Sequence, residues 1–407
     1  MAEQRKWAFA ARFRTNAYSW KGTQLASQRL KEALSEIKKT GKKEPVLAAN
    51  GAILLIEKLV ASIANIDSSS GAIGTAANRT LDSLIDIIIA APADESTVAK
   101  WLERLWQAYE EDGYGYLSGL AGRWGELCRT PELASKQADT FIWIVRRCWA
   151  ESADRSRYGY YNGTEACLSC LLAAGRYQEL LDLLALRDKQ LYTYCEYGVR
   201  AMVAMGMHEE AISYALASGG MNESPIRVAA DCEQVLLDAG RVEEAYERFA
   251  FTANLSTTNL ATYRAIKKKY PHKPPQIILT DLIANSPGQE GKWFATAKDL
   301  ELFDLAVQLV SMSPCDPFTL NRAARDFIEK SPNFALGAAL ASLHWIAQGH
   351  GYDITSLEVK EAVAYAKRAA GMLAVQKETR TRIEASTRVN SQVHEWALRY
   401  IGDWGVD

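Results

Sequence analysis

Residues 166–251 repeat one pattern three times, as Gly175-Arg176-Tyr177-Gln178-Glu179-Leu180-Leu181, Gly206-Met207-His208-Glu209-Glu210-Ala211-Ile212 and Gly240-Arg241-Val242-Glu243-Glu244-Ala245-Tyr246. The glycines are 31 and 34 residues apart, and each has an apolar run on both sides. This arrangement predicts two helices joined by a glycine-centred turn. Because one such hairpin cannot bury its apolar face alone, neighbouring copies must stack. The sequence therefore predicts an all-α fold, a right-handed α-solenoid of stacked helical hairpins with no sheet.

The rest of the chain also has helical periodicity, and no stretch shows sustained alternation of apolar and polar residues. Of the 11 prolines, six directly follow Ser, Thr or Asp. A capping residue followed by Pro marks the start of a helix, so we expect most of these pairs to open helices. The pairs are Thr130-Pro131, Ser224-Pro225, Ser286-Pro287, Ser313-Pro314, Asp316-Pro317 and Ser331-Pro332. The other predicted helices include 21–39, 46–66, 76–90, 96–111, 117–128, 132–150, 318–329, 334–348, 357–374 and 391–401.

Four regions are predicted along the chain. Residues 1–45 form a basic, aromatic arm and the first helix, and residues 46–165 form an N-terminal helical region. The clear repeats occupy 166–251, and 252–407 holds degenerate helical repeats and a C-terminal cap. With 407 residues, 48% of them hydrophobic and 24% charged, the chain has the composition of a globular protein and not of a disordered one.

The charge of the chain is unevenly distributed, although its net charge is only −2. Residues 1–45 contain 11 Lys and Arg against four Asp and Glu, so this arm carries +7 and the remainder about −9. A basic arm on a mildly acidic body either contacts an acidic partner or folds back on its own body. The sequence leaves both alternatives open.

The composition also indicates a location for the protein. Residues 1–13 lack the apolar core of a secretory signal, and no run of 18 uncharged apolar residues occurs. The seven cysteines are scattered singly, which is typical of reduced thiols in packed positions and not of a disulfide framework. We therefore expect a cytoplasmic protein without a membrane span.

At the three glycine copies the sequence resembles the tetratricopeptide repeat (TPR), in which glycine lies in the turn and a small residue of the second helix allows close packing. The matching positions are Gly175, Tyr177, Leu180, Gly206, Ala211, Gly240, Ala245 and Phe249. Leu180 stands where the repeat has a small residue, and the last third of the chain matches poorly. The resemblance implies TPR-like hairpins over about 85 residues.

A second resemblance covers most of the chain and rests on four short blocks, 66–71, 291–295, 313–317 and 322–326. In these blocks the sequence is similar to an uncharacterised bacterial family of helical-repeat proteins. Some members of that family carry an amino-terminal SWIM zinc finger, which is absent from this sequence. This resemblance implies a helical-repeat fold and no particular activity.

No local motif in the sequence indicates catalysis, a cofactor or a metal. Cys167 and Cys170 form the only CxxC, within an apolar helical run and without a second pair of ligands, so they are interpreted as packing cysteines. The five histidines are isolated, and neither a nucleophile elbow nor a phosphate-binding loop with its lysine occurs. The protein is therefore expected not to be an enzyme. A composite site built from distant residues stays an open hypothesis, because such sites are defined by geometry.

Two segments are candidates for binding surfaces. The first is rich in Arg and Tyr, residue types that dominate protein interfaces, although Tyr in a loop also packs between helices. Its candidate partner-binding residues are Arg155, Arg157, Tyr158, Tyr160 and Tyr161. The second is basic and is interpreted either as a phosphate-binding segment or as an ordinary basic helix end. Its candidate phosphate-binding residues are Arg264, Lys267, Lys268, Lys269 and Lys273.

These observations favour a non-catalytic helical-repeat scaffold that binds a protein or peptide partner in its concave groove. The alternative is a nucleic-acid-associated accessory protein that uses residues 1–45 and 264–273 on phosphates. The two hypotheses differ in their response to salt, because binding to phosphates weakens steeply as the salt concentration rises.

Overall fold

The structure is a computed structural model that describes residues 6–150, 159–187, 191–219, 223–402 and 404. These residues form 22 α-helices and two short 3-10 helices, and no strand occurs among them. The prediction of an all-α fold is therefore confirmed. The chain divides into two compact units, Met1–Ser224 and Pro225–Asp407. The division falls between the second and third copies of the glycine pattern.

The first unit begins with a 3-10 helix, Ala8–Arg12, and continues with eleven α-helices. They are α1 (Thr23–Gly41), α2 (Pro45–Ile63), α3 (Ala72–Ala90), α4 (Glu95–Glu110), α5 (Ser118–Gly122), α6 (Trp124–Cys128), α7 (Pro131–Ala150), α8 (Thr164–Ala173), α9 (Tyr177–Leu184), α10 (Tyr192–Ala204) and α11 (His208–Ser218).

The second unit also contains eleven α-helices, with a 3-10 helix at Glu290–Trp293. They are α12 (Pro225–Asp238), α13 (Val242–Ala253), α14 (Asn259–Lys269), α15 (Pro275–Ala284), α16 (Phe294–Asp299), α17 (Phe303–Met312), α18 (Pro317–Phe327), α19 (Pro332–Ala347), α20 (Ser356–Leu373), α21 (Gln376–Thr387) and α22 (Ser391–Ile401).

The three predicted glycine turns have one geometry. Gly175, Gly206 and Gly240 have φ of 71°, 79° and 73°, the left-handed region that glycine adopts without strain. At each turn the glycine N–H donates to the carbonyl three residues earlier, and the next N–H donates to the carbonyl five residues before it. This pair of hydrogen bonds is the Schellman motif, which satisfies carbonyls left free at the end of a helix. The repeated turn is therefore confirmed in both units.

The same turn recurs later in the second unit without the pattern that revealed the first three. Gly349 has φ of 85°, and Glu301 and Ala374 have φ of 59° and 57°. In each case the N–H of the next residue donates to the carbonyl five positions before that residue, as the Leu302 N–H does to the Ala297 carbonyl at 2.9 Å. The sequence signal weakens after residue 251 because two of these turns hold a non-glycine residue in the left-handed region.

We expect Glu301→Gly to stabilise the second unit. A non-glycine residue in the left-handed region destabilises the folded chain by about 1–2 kcal/mol, and glycine removes this cost. Glycine also raises the backbone entropy of the unfolded chain, which lowers the stability by about 0.4–1 kcal/mol. The net gain should be about 0.5–1 kcal/mol, measured by urea unfolding of the full chain. The control Glu301→Ala keeps the Cβ atom and should change little. A glycine variant no more stable than the alanine variant would show that the turn is unstrained.

Prolines mark helix starts as predicted in four of the six pairs, at Pro131, Pro225, Pro317 and Pro332. In the remaining two pairs the serine has another partner. The Ser286 hydroxyl accepts from Trp293 Nε1 at 2.7 Å, and the Ser313 hydroxyl accepts from the Gly291 N–H at 2.8 Å. These serines therefore fix the 3-10 helix Glu290–Trp293 and do not cap a helix that begins at the following proline.

The N-terminal arm folds against its own unit. Trp7, Phe9 and Phe13 are buried with α1 and α2, and the Ala8 and Phe9 N–H groups donate to the carboxylate of Glu36. Of the two alternatives left open for the arm, the structure shows the folded-back one for residues 6–45.

One helix of the described chain, α2, is long and apolar enough to cross a membrane, and 56% of its apolar window is buried inside the protein. Gly51 lies at its contact with the arm, since a Cβ atom there would lie 2.3 Å from the Trp7 ring. The apolar side of α2 thus packs in the core of the first unit.

Candidate functional site

The Arg/Tyr segment is only partly described. Arg155, Arg157 and Tyr158 lie outside the described residues. Tyr160 is 79% exposed, and its hydroxyl donates to Asn162 Oδ1 at 3.1 Å. Tyr161 packs against the core of the first unit, where burial raises the pKa of its phenol to about 12. The two described tyrosines therefore differ, because the Tyr160 ring is exposed to solvent and the Tyr161 ring packs in the fold, and partner binding by the segment stays a prediction.

Most of the basic candidates in segment 264–273 are already paired with acids. Arg264 contacts Asp299 at 3.1 Å, and Lys269 contacts Glu233 at 2.6 Å. Lys273 contacts Glu243 at 2.5 Å and lies 4.5 Å from the centre of the Tyr246 ring. Lys267 and Lys268 are exposed on α14. These acids reduce the positive charge that the segment offers to phosphates, and phosphate binding by its five basic residues stays a prediction.

Glu233 is fully buried in the second unit and joins three helical segments. Its carboxylate accepts from the Tyr270 hydroxyl at 2.6 Å, from Asn254 Nδ2 at 2.8 Å and from Lys269 Nζ at 2.6 Å. Burial is the main cause that raises the pKa of Tyr270, and the hydrogen bond to Glu233 is the next. The basic end of α14 is thus held against α12 by a buried carboxylate.

A cleft suited to a ligand lies in the second unit. Its volume is about 650 Å³, within the range of ligand sites. Four separate segments form it: the start of α14, the beginning of α16 with the preceding 3-10 helix, the loop into α18, and the loop before α20. The lining residues are Thr258, Asn259, Leu260, Lys292, Ala295, Pro314, Cys315, Asp316, Thr319, His350, Gly351 and Tyr352.

Two of the segments that form the cleft are joined next to it by a close contact between their backbones. A Cβ atom on Gly291 would lie 2.2 Å from the Ser313 carbonyl oxygen and 2.6 Å from that of Pro314, so only glycine fits there. The Gly291 N–H donates to the Ser313 hydroxyl, which closes the contact. Because Gly291 immediately precedes Lys292, this contact places the lysine at the cleft.

The loop 349–355 contributes His350, Gly351 and Tyr352 to the lining. It leaves α19 through the Gly349 turn and enters α20 at Thr355, whose N–H and hydroxyl both bond the Glu358 carboxylate at 2.7 Å. Asn321 Nδ2 on α18 donates to the Glu358 carbonyl at 3.0 Å. Both ends of the loop are therefore tied to helices, while Tyr352 between them is 84% exposed at the rim.

The polar groups that line the cleft include a carboxylate, a thiol and an ammonium group. The Asp316 carboxylate accepts from the Thr319 N–H and hydroxyl, as a cap of α18. Burial raises the pKa of the Cys315 thiol to about 12, so this thiol is protonated at neutral pH. Lys292 Nζ donates to the Gln289 amide oxygen at 2.8 Å, and Asp316 carries the one carboxylate among the described lining residues.

Cys167 and Cys170 are buried in α8, as the packing interpretation expects. Burial raises the pKa of Cys167 to about 12 and that of Cys170 well above its usual value. No group of three His, Cys, Asp or Glu side chains suited to a metal ion occurs in the part of the chain that the structure describes.

Sequence reasoning did not identify the cleft as a site, although it singled out pieces of it. Blocks 291–295 and 313–317 carry the second family resemblance, and both line the cleft. The sequence features in these blocks are Gly291 beside Lys292, and Ser313-Pro314 closely followed by Asp316-Pro317. Neither feature shows that the two blocks contact each other in the fold.

Comparison with models of protein families, with curated proteins and with solved structures finds no match to this chain in any of the three.

Proposed function

We propose that the protein is a non-catalytic, TPR-like α-solenoid scaffold that binds a protein or peptide partner in the cytoplasm. The helix contacts of the second unit support this proposal. The pairs α16 with α17, α18 with α19 and α20 with α21 pack as hairpins, and α19 also packs on α17 and α21, as α18 does on α20. Contacts between successive and next-but-one helices are what stacked hairpins produce.

The observation that carries the binding proposal is the cleft with its exposed rim. Its wall is formed by Leu260, Ala295 and Pro314, which suit an apolar side chain, and Tyr352 is an exposed aromatic ring at the mouth. Lys292 adds a positive charge at one side. The partner should therefore present an apolar side chain next to an acidic one.

The test is affinity purification of the tagged protein from a lysate of its host, with and without nuclease, followed by mass spectrometry. The same purification is made with Ala295→Trp, which fills the cleft, and with Lys292→Glu, which reverses its charge. We expect a stoichiometric protein partner that survives nuclease and is lost from both variants.

The matched control is Lys377→Glu, the same charge change at an exposed position of α21 outside the cleft. It should retain the partner, and circular dichroism should show that all three variants are folded. If nuclease treatment removes the captured material, the result would favour the nucleic-acid hypothesis, with residues 1–45 and 264–273 as the binding segments. A partner that both cleft variants still bind would refute the cleft as its site.

A further inference from the structure

A second cavity of the second unit lies over α19, between α17 and α21. Its volume is about 270 Å³. The floor is one face of α19, where Gly337, Leu340, Ala341 and His344 occupy positions i, i+3, i+4 and i+7. Residues Val307, Val310 and Ser311 of α17 and residues Arg382 and Ser386 of α21 form the sides. We call this cavity the α19 groove.

The α19 groove combines an apolar floor with positive charge. Arg382 is exposed at its edge, and no carboxylate belongs to its lining. The neighbouring arginine of α21, Arg380, is paired with Glu384 at 2.9 Å. Arg382 has no such ion pair among the described residues, so its charge is available to a ligand.

The hydrogen-bond donors of the α19 groove limit the kind of anion that it suits. The Ser311 hydroxyl donates to the Gln308 carbonyl at 2.6 Å, and the Ser386 hydroxyl donates to the Ile383 carbonyl at 3.1 Å. Because both hydroxyl protons are in use, the guanidinium of Arg382 and the imidazole of His344 are the remaining donors. A planar guanidinium matches the two oxygens of a carboxylate.

We propose that the α19 groove binds a small aliphatic monocarboxylate, with the chain on the α19 floor and the carboxylate on Arg382. The cavity volume is roughly nine times the share of one water molecule in the liquid, which is room for about eight heavy atoms. Hexanoate has this size. This proposal is independent of the cleft proposed above to bind the protein partner, which we call the partner cleft, since the two cavities share no lining residue.

Isothermal titration calorimetry of the full chain with hexanoate tests the proposal, with hexanamide as a probe of the same shape without the charge. We expect saturable binding of hexanoate and at least about tenfold weaker binding of hexanamide. Arg382→Ala should weaken hexanoate binding by about tenfold or more, and Ala341→Phe, which fills the floor, should abolish it.

The matched control is Arg388→Ala, an exposed arginine at the end of the same helix outside the α19 groove, which should bind hexanoate as the unmodified protein does. Because Arg382 is exposed, its loss should leave the fold intact, and thermal unfolding checks this. Absence of saturable binding, equal affinity for hexanamide, or an equal loss in Arg382→Ala and Arg388→Ala would each overturn the assignment. Lys292→Glu should leave hexanoate binding unchanged whether or not the partner cleft is correct.

Discussion

Replacing Glu233 by alanine is expected to destabilise the second unit by about 3–5 kcal/mol, the usual loss when one member of a buried ionic network is removed. The substitution leaves the buried Tyr270 hydroxyl without its acceptor, and it removes the carboxylate partner of Lys269 and one of the two acceptors of Asn254. It also opens a cavity at a fully buried position.

The neighbouring Cys232 provides a local measurement, because its thiol is fully buried on α12. Native-state thiol labelling followed by mass spectrometry should show Cys232 reacting at least about a hundredfold faster in Glu233→Ala, since each 1.4 kcal/mol changes the open population about tenfold. Glu233→Gln keeps an acceptor oxygen, so it should lose less stability than Glu233→Ala and show a smaller increase in the labelling of Cys232. Unchanged labelling in the alanine variant would mean that the network does not stabilise α12.

The same network has a pH dependence of known sign. Burial and Glu233 raise the pKa of folded Tyr270, whereas the unfolded tyrosine ionises at its usual value. Stability from protonated Tyr270 is therefore present below about pH 10 and decreases above it by about 1.4 kcal/mol per pH unit. Tyr270→Phe should be less stable than the unmodified protein at neutral pH, and the difference should narrow above about pH 10.

The second large effect is expected at Gly125, where replacement by alanine should destabilise the first unit by about 3 kcal/mol. A Cβ atom there would lie 2.2 Å from the Ser169 carbonyl oxygen and 2.7 Å from the Ala173 Cβ atom. The obstruction is backbone of α8, so it cannot be relieved by a side-chain rotation. The Gly125 N–H also donates to the Ser169 hydroxyl at 3.0 Å, and that hydroxyl donates to the Gly122 carbonyl.

Gly119→Ala is the control, because its Cβ atom would meet nothing closer than Leu81 Cδ2 at 3.5 Å. It should be neutral or slightly stabilising, since alanine favours a helix over glycine by up to about 1 kcal/mol. The stability of both variants is measured by urea unfolding and by the labelling rate of the buried Cys128 on α6. Equal stability of the two variants would contradict the close contact between α6 and α8.

The local elements of this fold were predictable from the sequence because local chemistry decides them. Glycine at 175, 206 and 240 permits the left-handed turn, and proline after Thr, Ser or Asp opens α7, α12, α18 and α19. The predicted helix at 117–128 is instead two short helices, because the chain leaves helical geometry at Arg123, where φ is −111°.

The sequence alone overstates the positive charge of a basic segment when the acids that pair with it lie elsewhere in the chain. Segment 264–273 contains five basic residues and no acid, yet Lys269 finds its carboxylate at Glu233, 36 positions earlier in the chain. Likewise Arg264 finds Asp299, 35 positions later. A count of charges within a window cannot reveal such neutralisation, because it depends on which helices pack together.

By itself, the sequence determined the all-helical class, the repeated turn and most helix starts of this protein, since each follows from the φ preference or hydrogen-bonding capacity of a few adjacent residues. Only the tertiary structure decided which side chains share a site. The cleft brings together residues 258–260, 292–295, 314–319 and 350–352. That meeting depends on helix packing and on contacts such as Gly291 with Ser313, and no spacing along the chain encodes it.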